Sequence, residues 1–147
     1  MEGKVLELFI TKNDAQKTRE KPSVIKVDPD GIDGDKFYGK NPQRAILITT
    51  VESYAMANEN GIDIEYGTLG ENILIDINPY HLQAGEQLQI GDTILEITQN
   101  CTLCKGLSTI DSKLPKLLKD DRGIFAKVVQ GSSHIHIGDT VSLGKGK

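Results

Sequence analysis

Gln89-Ile90-Gly91-Asp92-Thr93-Ile94-Leu95-Glu96-Ile97 holds two apolar runs joined by a Gly-Asp dipeptide. Gly-Asp suits a tight turn, and the flanking aliphatic and β-branched residues suit a pleated, half-buried surface. From residue 81 onward the chain therefore reads as strand, turn, strand. The wording returns at His136-Ile137-Gly138-Asp139-Thr140-Val141-Ser142-Leu143, again Ile-Gly-Asp-Thr followed by an aliphatic residue. Two such hairpins among other short strands predict a barrel or curled sheet rather than a layered parallel sheet. The echo is too short to mark a duplicated domain.

Outward from these hairpins, residues 4–10, 23–27, 45–50, 73–77 and 124–129 also favour strands. Asp28-Pro29-Asp30-Gly31 is a strong turn, and residues 11–22 read as an exposed polar loop. Residues 51–60 predict a helix with Thr50 as N-cap and Asn60-Gly61 as its stop, and with Tyr54 and Met56 in the core. A second helix is expected over 111–121, with Pro115 in its first turn and Leu114, Leu117 and Leu118 on one face. The expectation is one mainly-β domain over 1–147, its core about 4–143, with two short helices.

At 147 residues the chain is long enough for a core without disulfide or metal staples. A net charge of −4 argues against nucleic acid as the main partner. No apolar run approaches a membrane span, and Met1-Glu2-Gly3-Lys4 does not open a secretory signal, so the chain reads as cytoplasmic.

Both cysteines lie in Gln99-Asn100-Cys101-Thr102-Leu103-Cys104-Lys105. A bond between them would close a tiny loop and stabilise little. With no second pair, a four-thiolate zinc site is excluded for this chain alone. A mixed site needs a fold that brings His81, His134 or His136 to them. Three readings stay open. The pair is a redox dithiol, although Gly106 and Ser108-Thr109 interrupt any helix at Cys104. A thiolate beside Lys105 binds a soft or high-valent metal or carries a persulfide. Or the cysteines are small buried hydrophobes.

Two loops accompany the thiols. Gly31-Ile32-Asp33-Gly34-Asp35-Lys36-Phe37-Tyr38-Gly39-Lys40 is glycine-rich and charged, but its acids do not fit EF-hand spacing. It leads to Arg44, which heads a strand and is placed to hold an anion. Gly70-Glu71-Asn72 is an ordinary turn, or else presents an Asn to a ligand's polar edge.

Seven pieces in order resemble the MOSC domain, the module at the C-terminus of molybdenum cofactor sulfurases that also occurs as free-standing bacterial proteins. They are residues 31–36, Arg44-Ala45-Ile46-Leu47-Ile48, Leu69-Gly70-Glu71-Asn72-Ile73, residues 90–98, the cysteine, Arg122-Gly123-Ile124-Phe125-Ala126-Lys127-Val128, and Ile137-Gly138-Asp139-Thr140-Val141. The resemblance implies a β-barrel-rich fold whose characteristic cysteine, matched here to Cys104, binds molybdenum or carries sulfur. By matching position it implies that Asp35, Lys36, Arg44, Asn72 and Arg122 bind the molybdenum cofactor (molybdopterin). Where many members have Gly-Asp-Arg-His, this chain has Gly34-Asp35-Lys36-Phe37, and Lys is no substitute for a bidentate Arg.

The implied activity is molybdenum-dependent reduction of N-hydroxylated small molecules, with electrons from a separate donor protein. The alternatives are a persulfide carrier on Cys104, loaded by a cysteine desulfurase for a metal-sulfur acceptor, and a binding module without turnover. No pyridoxal phosphate is expected in this chain alone.

Overall fold

The computed structural model describes residues 2–12, 14–16, 18–101, 110–119, 121–129 and 131–143. In chain order the strands are β1 (Glu2–Leu8), β2 (Ile10–Thr11), β3 (Arg19–Glu20), β4 (Val24–Asp28), β5 (Gly31–Ile32), β6 (Ile46–Thr50), β7 (Ile73–Ile75), β8 (Gln87–Ile90), β9 (Thr93–Asn100), β10 (Ile124–Val128), β11 (Ser133–His136) and β12 (Thr140–Leu143). The helices are α1 (Val51–Glu59) and the single turn α2 (Leu114–Leu117), and a 3-10 turn covers Pro42–Arg44.

Seven strands close a barrel in the order β1-β12-β8-β9-β10-β6-β7; β8 and β9 form the hairpin expected at Gly91-Asp92, whereas Gly138-Asp139 joins β11 and β12, which lie in different sheets and do not pair. Closure leaves no edge to template aggregation. Burial alternates along β9, with Thr93, Leu95 and Ile97 inward and Ile94 exposed. Leu95 and Ile97 join Ile46, Ile48, Leu88 and Ala126 in one apolar cluster. All barrel contacts are antiparallel except β6 with β7, paired Ile48↔Ile73 and Thr50↔Ile75. A parallel pair cannot be joined by a tight turn, so the chain crosses over through α1.

The two Ile-Gly-Asp-Thr segments meet in space. β8 pairs with β12 through Ile90↔Val141, and the Gly91 amide donates to the Thr140 carbonyl at 2.9 Å. Gly91 has φ +57°, and a Cβ there would lie 2.9 Å from Asp139 Oδ2. The repeated wording therefore reflects two turns pressed together at one end of the barrel.

The polar stretch expected as a plain loop contributes β2 and β3, a two-residue pairing (Ile10↔Glu20, Thr11↔Arg19). On a separate three-stranded sheet β4 lies between β11 and β5. Thr50 stands at the N-cap of α1 but makes no side-chain capping bond; its amide instead donates to Tyr80 Oη at 3.0 Å. Asn60 and Gly61 (φ +80°) end that helix as expected. Tyr54 is core and Met56 only partly buried. α2 is shorter than its sequence suggests. Leu114 and Leu118 are buried against Tyr54, Ala57 and Leu74, but the chain must then turn at Gly123 to enter β10.

Gly123 has φ +152°, and a Cβ there would lie 3.0 Å from Leu47 Cδ1 and 3.2 Å from the Ile48 carbonyl oxygen. Both the backbone and the packing oppose a side chain. Gly123→Ala is expected to cost about 1–3 kcal/mol, read as a lower urea midpoint with an unchanged slope.

Candidate functional site

The outer face of β6, β9 and β10 gathers several of the residues singled out in the sequence. Phe125 pairs with Leu47 on one side and with Gln99 on the other, and Leu47, Phe125 and Cys101 form a small buried cluster. The Cys101 amide donates to the Gly123 carbonyl at 2.9 Å, which fixes the end of β9 against the start of β10. Cys101 is a free thiol only 3 % exposed. Of the three sequence readings, packing as a small hydrophobe describes this cysteine. Cys104 lies outside the described residues.

Arg44 is delivered to this face by the 3-10 turn. Asn41 Oδ1 accepts from the Gln43 amide at 3.0 Å, and Thr98 Oγ1 donates to the Gln43 carbonyl at 2.6 Å, so the turn is clamped to β9. The exposed Arg44 guanidinium carbon lies 6.0 Å from the Phe125 ring centre. No hydrogen bond or ion pair to its side chain is made among the described residues. An exposed guanidinium over an aromatic face suits an anion such as a phosphate.

Asp35 and Asn72 are buried and touch, Asn72 Nδ2 lying 3.4 Å from Asp35 Oδ1. Asp35 also accepts from the Thr11 amide at 2.8 Å and the Phe37 amide at 3.1 Å. Asn72 Oδ1 accepts from the Leu47 amide at 3.0 Å, while Nδ2 donates to the Phe9 carbonyl at 3.2 Å. Its main-chain amide and carbonyl are engaged as well, with Leu47 and Phe9. The polar groups of this pair thus tie the Phe9–Thr11 segment, β6 and the 31–40 loop together. Lys36 is half-buried, its Nζ 4.8 Å from the Phe37 ring centre. Arg122 is half-buried, immediately before Gly123.

The tightest polar cluster escaped the sequence reading. Glu71 is fully buried, and its Oε2 accepts from Thr49 Oγ1 at 2.9 Å, Tyr54 Oη at 2.5 Å and the Gly67 amide at 3.2 Å. Burial, and then the Glu71 charge, push the Tyr54 phenol above its ordinary range. Arg19 reaches in from β3, donating to the carbonyls of Gly67 and Glu71 at 3.0 and 2.9 Å while covering the Phe9 ring. Nothing in the local sequence marks Arg19. The motif Leu69-Gly70-Glu71-Asn72 did point to the Glu71 loop, but as a turn.

On the neighbouring loop, Tyr38 Oη donates to Asp28 Oδ2 at 2.6 Å, and this bond is the main reason its pKa rises to about 12. A raised folded pKa means that this stabilisation is present below the unfolded value near 10 and lost as pH climbs through about 12. Asp28→Asn is expected to bring the Tyr38 transition down, measured by phenolate absorbance on alkaline titration.

The family model for the MOSC domain matches residues 34–142. The chain belongs to the MOSC domain family. Its fold is similar to that of YuaD from Bacillus subtilis, with a TM-score of 0.82 at 18% identity, covering 96% of this chain and 94% of that one. YiiM from Geobacillus stearothermophilus (TM-score 0.70, 16% identity, 96% and 74% covered) and YiiM from Escherichia coli (0.71, 18%, 97% and 69%) also share it. No curated protein sequence matches the chain. MOSC domains are in general molybdenum-cofactor-binding domains. In this one, the structure places Arg44 exposed over Phe125 and Lys36 half-buried beside Phe37, while Asp35 and Asn72 are buried and hydrogen-bonded to each other. No helix among the described residues is long and apolar enough to cross a membrane.

Proposed function

We propose that this MOSC domain holds the molybdenum cofactor with Cys104 as metal ligand and reduces N-hydroxylated small molecules, using electrons from a separate donor protein. The observation that carries the reading is Arg44, an exposed guanidinium clamped over Phe125 beside the buried Cys101, with Cys104 three residues further along the chain. The cofactor, when bound, supplies a two-electron centre that accepts oxygen. The chain supplies position. Arg44 and Lys36 meet the phosphate as cations, and the Asp35–Asn72 tie keeps the loop carrying Lys36 in register with β6. In the net reaction the N–O bond of R–NHOH breaks, two electrons and two protons are consumed, and R–NH2 and water leave.

The test is to purify the protein from a host that makes the cofactor and measure molybdenum per chain. Stoichiometric metal is expected in the wild type, with background levels in Cys104→Ala. No molybdenum in either protein overturns the proposal. A persulfide mass increment at Cys104 after exposure to a cysteine desulfurase, without molybdenum, replaces it with the carrier reading. Arg44→Ala is expected to weaken loading without lowering Tm by more than a degree or two, because surface substitutions away from packed features cost little.

A further inference from the structure

We infer a second metal site, separate from the cofactor region: a two-imidazole chelate on β11, formed by His134 and His136, for a borderline divalent cation such as Ni2+, Cu2+ or Zn2+. Residues two apart on a strand project from the same face, and the burial of Ile135 between them holds the two histidines outward. The register is pinned by β4, through Ile135↔Ile25 and His136↔Val24. The imidazole rings lie 6.5 Å apart, centre to centre, tilted at 43°. A shared ion sits about 2.0–2.1 Å from each ligating nitrogen, which holds the two ring centres at roughly 6.5 Å or less. Rotation of two exposed side chains therefore closes the chelate with no backbone movement.

Asp139 completes the arrangement from behind. Its Oδ2 accepts from the His136 amide at 2.8 Å and lies 3.8 Å from His136 Nδ1. At 3.8 Å the carboxylate is an electrostatic neighbour of the ring, and its negative charge favours a cation held there. No group of three or more His, Cys, Asp or Glu side chains able to hold a metal stands among the described residues. Two imidazoles with water in the remaining positions make an open site of moderate affinity. The ligand type selects the metal, since imidazole suits copper, nickel and zinc, whereas magnesium and calcium require oxygen cages. Lys26, directly across from His134, is exposed, so salt screens its repulsion of a bound cation.

The experiment is a calorimetric titration of the untagged protein with Ni2+ and with Mg2+, in a Cys104→Ser background so that the thiol does not compete. Saturable binding of Ni2+ is expected and none of Mg2+. His134→Gln and His136→Gln should each weaken Ni2+ binding at least about tenfold, because a lone imidazole loses the second, intramolecular contact. Both positions are exposed, so Tm should not move. His81→Gln is the control and should bind like the parent. The inference is overturned if the parent shows no saturable Ni2+ binding, if both β11 variants bind as tightly as the parent, or if His81→Gln abolishes binding.

Discussion

Glu71→Ala is expected to be among the most destabilising single substitutions in this chain, at about 3–5 kcal/mol. One carboxylate oxygen collects three donors from three separate segments: Thr49 on β6, Tyr54 on α1 and Gly67 in the loop before β7. Truncation leaves the buried Thr49 and Tyr54 hydroxyls without their carboxylate acceptor and opens a cavity beneath α1. For a domain of this size the cost reads as a fall in Tm of roughly 10 °C or more. Glu71→Gln separates hydrogen bonding from shape. Its amide oxygen can take the place of Oε2, but its NH2 must then occupy the position of Oε1, which has no hydrogen-bond partner among the described residues. An intermediate loss of about 1–3 kcal/mol is expected. Equal stability of Glu71→Ala and wild type in a urea melt would remove the cluster from any account of the fold.

Asn72→Ala is expected to cost about 2–4 kcal/mol, and to do so in protein free of cofactor. Its side chain satisfies the Leu47 amide, the Phe9 carbonyl and one oxygen of Asp35, all buried. Asn72→Asp keeps the volume but places a carboxylate oxygen where Nδ2 stood, facing two acceptors, so it should be at least as harmful as Ala. A thermal melt of the two variants, paired with molybdenum content per folded chain, separates positioning from contact. A lower Tm with normal loading of the surviving folded protein is the expected pattern. An unchanged Tm with lost loading would make Asn72 a cofactor ligand instead.

These two residues show how far the chain could be read from its letters. The hairpin signals at Gly91-Asp92 and Gly138-Asp139 are local. Each turn is chosen by backbone conformation and each strand by side-chain alternation, so a barrel or curled sheet was legible before any contact was known, but that Gly138-Asp139 passes the chain from one sheet to another instead of closing a hairpin was not. The α1 boundaries were legible for the same reason. The length of α2 was not, because Gly123, packed against the adjacent strand β6, sets where the chain enters β10.

The candidate site divides in the same way. Arg44 stood out because a charged residue heading a strand has few structural reasons to be there, and it is indeed exposed over Phe125. Asp35 and Asn72 stood out equally, but whether a polar side chain faces a ligand or the backbone depends on burial. Here burial commits their hydrogen bonds to Thr11, Phe37, Leu47 and Phe9. Arg19, from a stretch that looks like solvent-exposed loop, covers Phe9 and joins the Glu71 region only because β2 and β3 fold back on themselves.

By itself, then, the sequence determined the strand-and-turn pattern and the family likeness, since these rest on local conformation and residue type. Only the tertiary structure decided that Cys101 packs as core, that the Asn72 side chain bonds Leu47, Phe9 and Asp35, and that Glu71 gathers three segments onto one oxygen. Those outcomes depend on which partners arrive, most of them from 17 to 63 residues away, and whether water is excluded where they meet.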